Sequence, residues 1–198
     1  MQDISKNEIS LLLIIFKNPE KEFNANSISK QLDISSMGAL KILKRLEKEN
    51  ILVSKKLGNA FFYKFNFKSE YAINYIKFLL KKEVEHLNGY VKIWTNELKK
   101  IKSAQCIILF GSVLRKYKDA NDIDVLFVTD KNKFNLLKKE IENINLLNIK
   151  KIHPIYQLKK DFLNNLENYD KIILESIKGI VIVGDDFLIG ALNESFGK

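Results

Sequence analysis

The chain predicts an α+β protein in two parts: a helical N-terminal region that ends in a hairpin, and an α/β region with a small mixed sheet. A long helix is expected to link them. Three observations carry this reading. Apolar residues recur at helical spacing through the first 49 positions. Two short strand-like runs then flank Leu57-Gly58-Asn59. Beyond Ile101 short apolar runs alternate with amphipathic segments, the signature of strands joined by helices. The expected boundaries are 1–68, 69–101 and 102–198.

Taken in order, Lys6 to Phe16 places Ile9, Leu12, Leu13 and Phe16 on one helical stripe, which Asn18-Pro19 ends because proline disfavours helix in the residue before it. Asn24-Ala25-Asn26 offers caps for a second helix, Ser27 to Leu32, and Ser35-Ser36 for a third, Met37 to about Glu49. Ile51 to Lys56 and Ala60 to Phe67 read as the hairpin. Ser69 can cap a helical run to Ile101 of roughly 50 Å if straight. Its stripe includes Ile73, Ile76, Leu80, Val84, Leu87, Val91, Trp94, Leu98 and Ile101 and forms a seam for another helix, with two shorter helices as the alternative if Gly89 kinks it. Further on, Ala104 to Phe110 and Ile123 to Val128 read as strands, Lys131 to Asn145 as helix and Ile149 to Gln157 as a third strand. Asp161 to Lys178 reads as helix with a break near Asn168, Ile180 to Val183 as a short strand and Asp185 to Glu194 as a terminal helix.

Composition bounds the function classes. A chain of 198 residues, 46% hydrophobic and 29% charged, can fill a core. A lone Cys106 excludes a disulfide framework, and His86 and His153 stand too far apart for a local zinc motif. The polar start and the lack of a long apolar run predict neither signal peptide nor membrane span, so a cytoplasmic protein with no membrane partner is expected. Of the net charge of +9, the first 101 residues hold most, with 18 Lys/Arg against 11 Asp/Glu. A nucleic-acid surface would want the excess there. Lysines that merely solvate a surface are the alternative.

Helix, helix, turn, helix and hairpin is the winged-helix order, a variant of the helix-turn-helix. The stretch Ser27-Ile28-Ser29-Lys30-Gln31-Leu32-Asp33-Ile34-Ser35-Ser36 resembles a positioning helix and its turn, and Ala39 to Leu52 resembles the recognition helix of archaeal and bacterial winged-helix regulators. The resemblance implies double-stranded DNA as partner. Ala39, Leu43 and Leu46 would face the core, while Ser35, Ser36, Met37, Gly38 and Lys41 would lie toward the major groove. Lys44, Arg45, Lys55, Lys56 and Lys64 would meet phosphates, fixing position without reading sequence. Two-fold readers of this kind commonly dimerise, and the seam from Ser69 to Ile101 predicts a homodimer.

The segment Phe110-Gly111-Ser112-Val113-Leu114-Arg115, continuing to Asp122-Ile123-Asp124-Val125-Leu126, resembles the minimal members of the nucleotidyltransferase superfamily related to DNA polymerase β. The likeness spans Ala104 to about Val183. It implies a triphosphate held at Gly111, Ser112 and Arg115, with glycine permitting close backbone approach. Asp122 and Asp124 alternate along a strand and would aim two carboxylates at one spot, a pair suited to Mg²⁺ and, in active members, catalytic. Active members usually carry a third carboxylate on a later strand. Lys151-Ile152-His153-Pro154-Ile155-Tyr156 holds none; His153 stands near that place, and Glu175 is the distant substitute. The resulting expectation is a transcription regulator that binds Mg²⁺-NTP. An active nucleotidyltransferase with the winged helix as substrate adaptor is the alternative, and a module for protein contacts alone is the third.

Overall fold

The computed structural model describes residues 4–87 and 89–197. The chain divides into two compact units: the residues up to Leu79, joined by those from Phe196 onward, and Leu80–Ser195.

In the first unit, Ser5 caps α1 (Lys6–Lys17), which buries Leu11, Leu12, Ile15 and Phe16. Asn24 and Ser27 form a reciprocal capping box, so α2 (Ala25–Leu32) starts two residues before the expected Ser27. Ser35 caps α3 (Ser36–Lys48), whose Ala39, Leu43 and Leu46 are fully buried. The hairpin strands β1 (Leu52–Leu57) and β2 (Ala60–Phe65) pair antiparallel around Gly58-Asn59, and a bridge from Phe23 to Tyr63 adds a third backbone to the sheet. The second strand stops before the expected Phe67 because the Asn66 amide turns back to Asn50, donating to its backbone carbonyl at 3.1 Å and to its Oδ1 at 2.8 Å. Phe16, Phe65 and Phe67 close the core, with Phe65 edge-on to both neighbours at 5.2 and 4.9 Å.

The expected single helix from Ser69 to Ile101 is two helices, α4 (Glu70–Glu85) and α5 (Gly89–Leu98). Ser69 does cap the first, its hydroxyl accepting from the Ala72 N–H at 3.2 Å. Gly89, the first residue of α5, takes φ +56°, outside the right-handed helical region, so one continuous helix cannot run through it. The later part of the seam packs within its own unit. Val84, Val91, Trp94, Leu98 and Ile101 are buried in the core of their own unit, beside Ile107, Leu109, Val125, Phe127, Leu137 and Ile141.

The second unit is built on a four-stranded mixed sheet, ordered β5-β4-β3-β6. Its strands are β3 (Ala104–Leu109), β4 (Ile123–Thr129), β5 (Ile152–Leu158) and β6 (Ile180–Val183). The strand β3 runs antiparallel to both β4 and β6, while β4 and β5 are parallel. Between β3 and β4 lie α6 (Val113–Lys116) and a 3₁₀ turn, Tyr117–Asp119. A parallel pair needs a crossover, here a 3₁₀ turn (Lys131–Lys133) and α7 (Phe134–Leu147). The strand β5 begins at Ile152, not Ile149: the Ile152 N–H donates to Asn145 Oδ1 at 2.8 Å, leaving Ile149 outside and almost fully exposed. The expected break near Asn168 separates α8 (Lys159–Glu167) from α9 (Lys171–Ser176), which Asp170 caps; α10 (Asp185–Phe196) ends the fold. No helix among the described residues is long and apolar enough to cross a membrane.

Candidate functional site

At the end of β3 the Phe110 N–H donates to the Asp124 carbonyl at 3.1 Å, which ties the loop to β4. Gly111 follows with φ +79°, and a Cβ there would fall 2.1 Å from Asp124 Oδ2. Only glycine lets the carboxylate lie against the loop. This second role for Gly111, beyond the phosphate approach expected of it, is invisible in the motif. Ser112 opens α6: its carbonyl accepts from the N–H groups of Arg115 at 3.0 Å and Lys116 at 2.8 Å, and its hydroxyl caps nothing. Arg115 is exposed.

Asp122 directly precedes β4 in a bend and Asp124 is the strand's second residue, and their carboxylates converge. The parallel register sets His153 of β5 opposite Asp124. Its Nδ1 lies 3.0 Å from Asp124 Oδ1, and one ligand atom from each of Asp122, Asp124 and His153 falls within a 4.8 Å cluster. Asp124 is partly sheltered, at 24% side-chain exposure, whereas His153 is 66% exposed and faces solvent. Glu175, the distant substitute, is not part of this cluster; it lies on α9, largely exposed and paired with Lys178 at 2.6 Å.

The donor set fits a divalent cation. Two carboxylates supply anionic oxygens, and an imidazole nitrogen is an accepted third ligand for many such ions. Two donors bound cis to one cation at about 2.1 Å stand about 3.0 Å apart, the separation seen between Asp124 and His153. Like charges at Asp122 and Asp124 repel, which a cation between them would relieve.

The residues expected to meet DNA divide by their partners. Ser35 spends its hydroxyl on the Gly38 N–H at 3.0 Å, and Ser36 Oγ lies 3.2 Å from Ser29 Oγ, joining α2 to α3. Lys41 and Lys44 are exposed on α3 and Lys56 on β1. Arg45, expected at a phosphate, instead turns to Glu8, a buried carboxylate on α1 that also accepts from the Tyr75 hydroxyl at 3.2 Å. Desolvation at that site drives the Tyr75 hydroxyl well above its ordinary pKa, with Glu8 adding to the shift. Lys55 and Lys64 converge on Glu22 at 2.7 and 3.3 Å. Lys55, at hydrogen-bond distance, holds the Glu22 carboxyl below its ordinary pKa, partial burial opposes this, and Lys64 strengthens it.

Comparison with solved structures finds proteins resembling about half of this chain. Adhesin competence repressor AdcR from Streptococcus pyogenes is 16% identical, with 51% of this chain and 70% of that one covered and a TM-score of 0.37. Lactococcus lactis ZitR, as an apo double mutant, is 16% identical over 50% of this chain and 70% of its own, at 0.36. MepR, a transcription regulator of the Staphylococcus aureus multidrug efflux pump MepA, is 14% identical over 50% and 77%, at 0.35. Scores this low support no functional argument. No curated protein matches the chain. The region of the Gly-Ser loop, the two aspartates and the four-stranded sheet is matched by a family model: residues 91–183 are similar to the nucleotidyltransferase domain.

Proposed function

We infer that the chain is a DNA-binding regulator whose second unit binds a nucleoside triphosphate together with a divalent cation. The observation that carries the nucleotide half is the gathering of Asp122, Asp124 and His153 beside a loop whose glycine packs on Asp124. In this reading Asp122 and Asp124 hold the cation. Gly111 and Ser112 seat phosphate oxygens on backbone N–H groups and a hydroxyl, and exposed Arg115 adds charge to the phosphates. When bound, the cation neutralises phosphate charge and orients the triphosphate. The β5 position opposite Asp124 carries an imidazole rather than a carboxylate. That favours binding over transfer, because the acid that could assist proton removal from an acceptor is missing there.

The DNA half rests on the order of α1, α2, α3 and hairpin, with Lys41, Lys44 and Lys56 exposed and forming no ion pair among the described residues. Two copies reading a two-fold site would pair through surfaces other than the apolar stripe of α5, which the core already uses. The test measures binding of each NTP by calorimetry with and without Mg²⁺, for wild type and for Asp122→Asn/Asp124→Asn. Divalent-dependent binding that the double variant loses supports the reading; equal binding by both proteins refutes the site. Transfer of label from an α-labelled NTP to any acceptor would turn the reading to an active transferase.

A further inference from the structure

We propose that His153 is a metal ligand, and that with Asp122 and Asp124 it makes a site for one first-row transition cation in preference to Mg²⁺. The inference rests on the metal–nucleotide reading above and names the metal class of that same site. Three facts lead to it. His153 stands in parallel register with Asp124, so the sheet itself brings its imidazole to the carboxylate. Its Nδ1 is 3.0 Å from Asp124 Oδ1, a separation two ligands of one cation share. Glu175 stays with Lys178, so no third carboxylate joins the group among the described residues.

Ligand chemistry then sets the preference. Mg²⁺ takes oxygen donors, in near-octahedral geometry, and gives up water reluctantly. An imidazole nitrogen gains little with it but binds Mn²⁺, Fe²⁺, Co²⁺ and Zn²⁺ increasingly well across the row. The charge count points the same way. Two carboxylates with a neutral imidazole carry two negative charges, which balance one divalent ion. A pair of such ions about 3.5–4 Å apart would be left under-neutralised without a further acid.

The probe is Mn²⁺ alone, added to the full chain without nucleotide and followed by calorimetry and electron paramagnetic resonance, with Mg²⁺ titrated in parallel. We expect one Mn²⁺ per chain, bound on the order of tenfold or more tighter than Mg²⁺, and nitrogen coupling in the Mn²⁺ spin-echo spectrum. His153→Ala should remove the coupling and weaken Mn²⁺ by roughly 10-fold while changing Mg²⁺ little. The variant should fold, since the side chain is largely exposed. His153→Asp should narrow the Mn²⁺ to Mg²⁺ ratio. Equal affinity for the two ions, or Mn²⁺ binding that needs the aspartates but shows no nitrogen coupling and survives His153→Ala, overturns the role of His153 and leaves the aspartate site standing. Mn²⁺ binding that survives Asp122→Asn/Asp124→Asn, or no binding up to millimolar Mn²⁺, overturns the three-ligand site, whereas the nucleotide reading, in which the triphosphate supplies further oxygens, falls only if NTP binding is independent of the aspartates.

Discussion

Gly111→Ala tests the loop and the carboxylate together. At φ +79° an alanine is strained by about 1–2 kcal/mol, partly offset by about 0.4–1 kcal/mol because the unfolded chain loses freedom. The new methyl would also stand 2.1 Å from Asp124 Oδ2 and 2.9 Å from its Cγ, so the carboxylate must swing away. That gives up the bond to His153, about 1 kcal/mol, and costs about 1 kcal/mol in an unfavourable rotamer. The expected loss of stability is about 2–3 kcal/mol, a fall of about 10 °C for a unit of this size. With Asp124→Ala in the background, Oδ2 and Cγ are gone and only the residue's Cβ remains, 3.0 Å away. The same substitution should then cost about 1 kcal/mol, leaving a coupling of about 1–2 kcal/mol in a double-mutant cycle. Urea unfolding followed by near-ultraviolet circular dichroism measures all four proteins, and divalent binding by Gly111→Ala alone should fall with the displaced carboxylate. Equal costs in the two backgrounds would show that the carboxylate is not what excludes a side chain at residue 111.

Lys41→Ala/Lys44→Ala should weaken duplex binding, measured by fluorescence anisotropy, and reduce the slope of log affinity against log salt by up to about 1.8, with no loss of stability. Arg45→Ala should do the reverse: unfolding by urea should show a loss of about 1–3 kcal/mol, discounted for the partial exposure of Arg45, because Glu8 is left buried and less well satisfied. Glu22 has a lowered pKa when folded, so its stabilising pairs with Lys55 and Lys64 are complete above its ordinary value of 4.5 and are lost as pH falls through the lower folded value. Lys55→Ala/Lys64→Ala should therefore flatten the acid limb of a melting-temperature profile; an unchanged limb would refute that assignment. Burial pushes the Cys106 thiol up to about 12, so at pH 8 it should react with a chromogenic disulfide only at the rate of unfolding; rapid labelling of native protein would contradict the burial.

Local signals are legible in the chain where a side chain caps or breaks its own segment. Ser35 and Ser69 begin helices as their hydroxyls predict, and Asn24 does so with Ser27 as a reciprocal partner. What the chain conceals are contacts between distant positions. The charge surplus of the first half suggests a uniform basic face, yet Arg45 is drawn to Glu8, 37 residues away, and Lys55 and Lys64 share Glu22. A helical stripe likewise shows that α5 has an apolar side but not what covers it; the same Trp94 and Leu98 suit a second chain or the sheet of their own unit.

The site repeats this division in a sharper form. Gly111, Ser112, Asp122 and Asp124 fall within one short stretch, where the start of β4 and a tight loop relate them directly. His153 reaches the aspartates only through the pairing of β5 with β4, and a shift of one residue would turn it to the other face of the sheet. That register is held by things a motif does not contain: the Asn145 side chain fixes the Ile152 backbone, and Ile152 lies buried opposite Ile123. The parallel crossover through α7 thus decides which side chain faces Asp124, and it delivers a nitrogen donor near the place where the resemblance leads one to expect an acid. Changing β5 register should therefore disturb the site without touching any of its ligands. Asn145→Ala, which removes the anchor and no ligand, is the substitution that would separate the strand's placement from the chemistry of His153 itself.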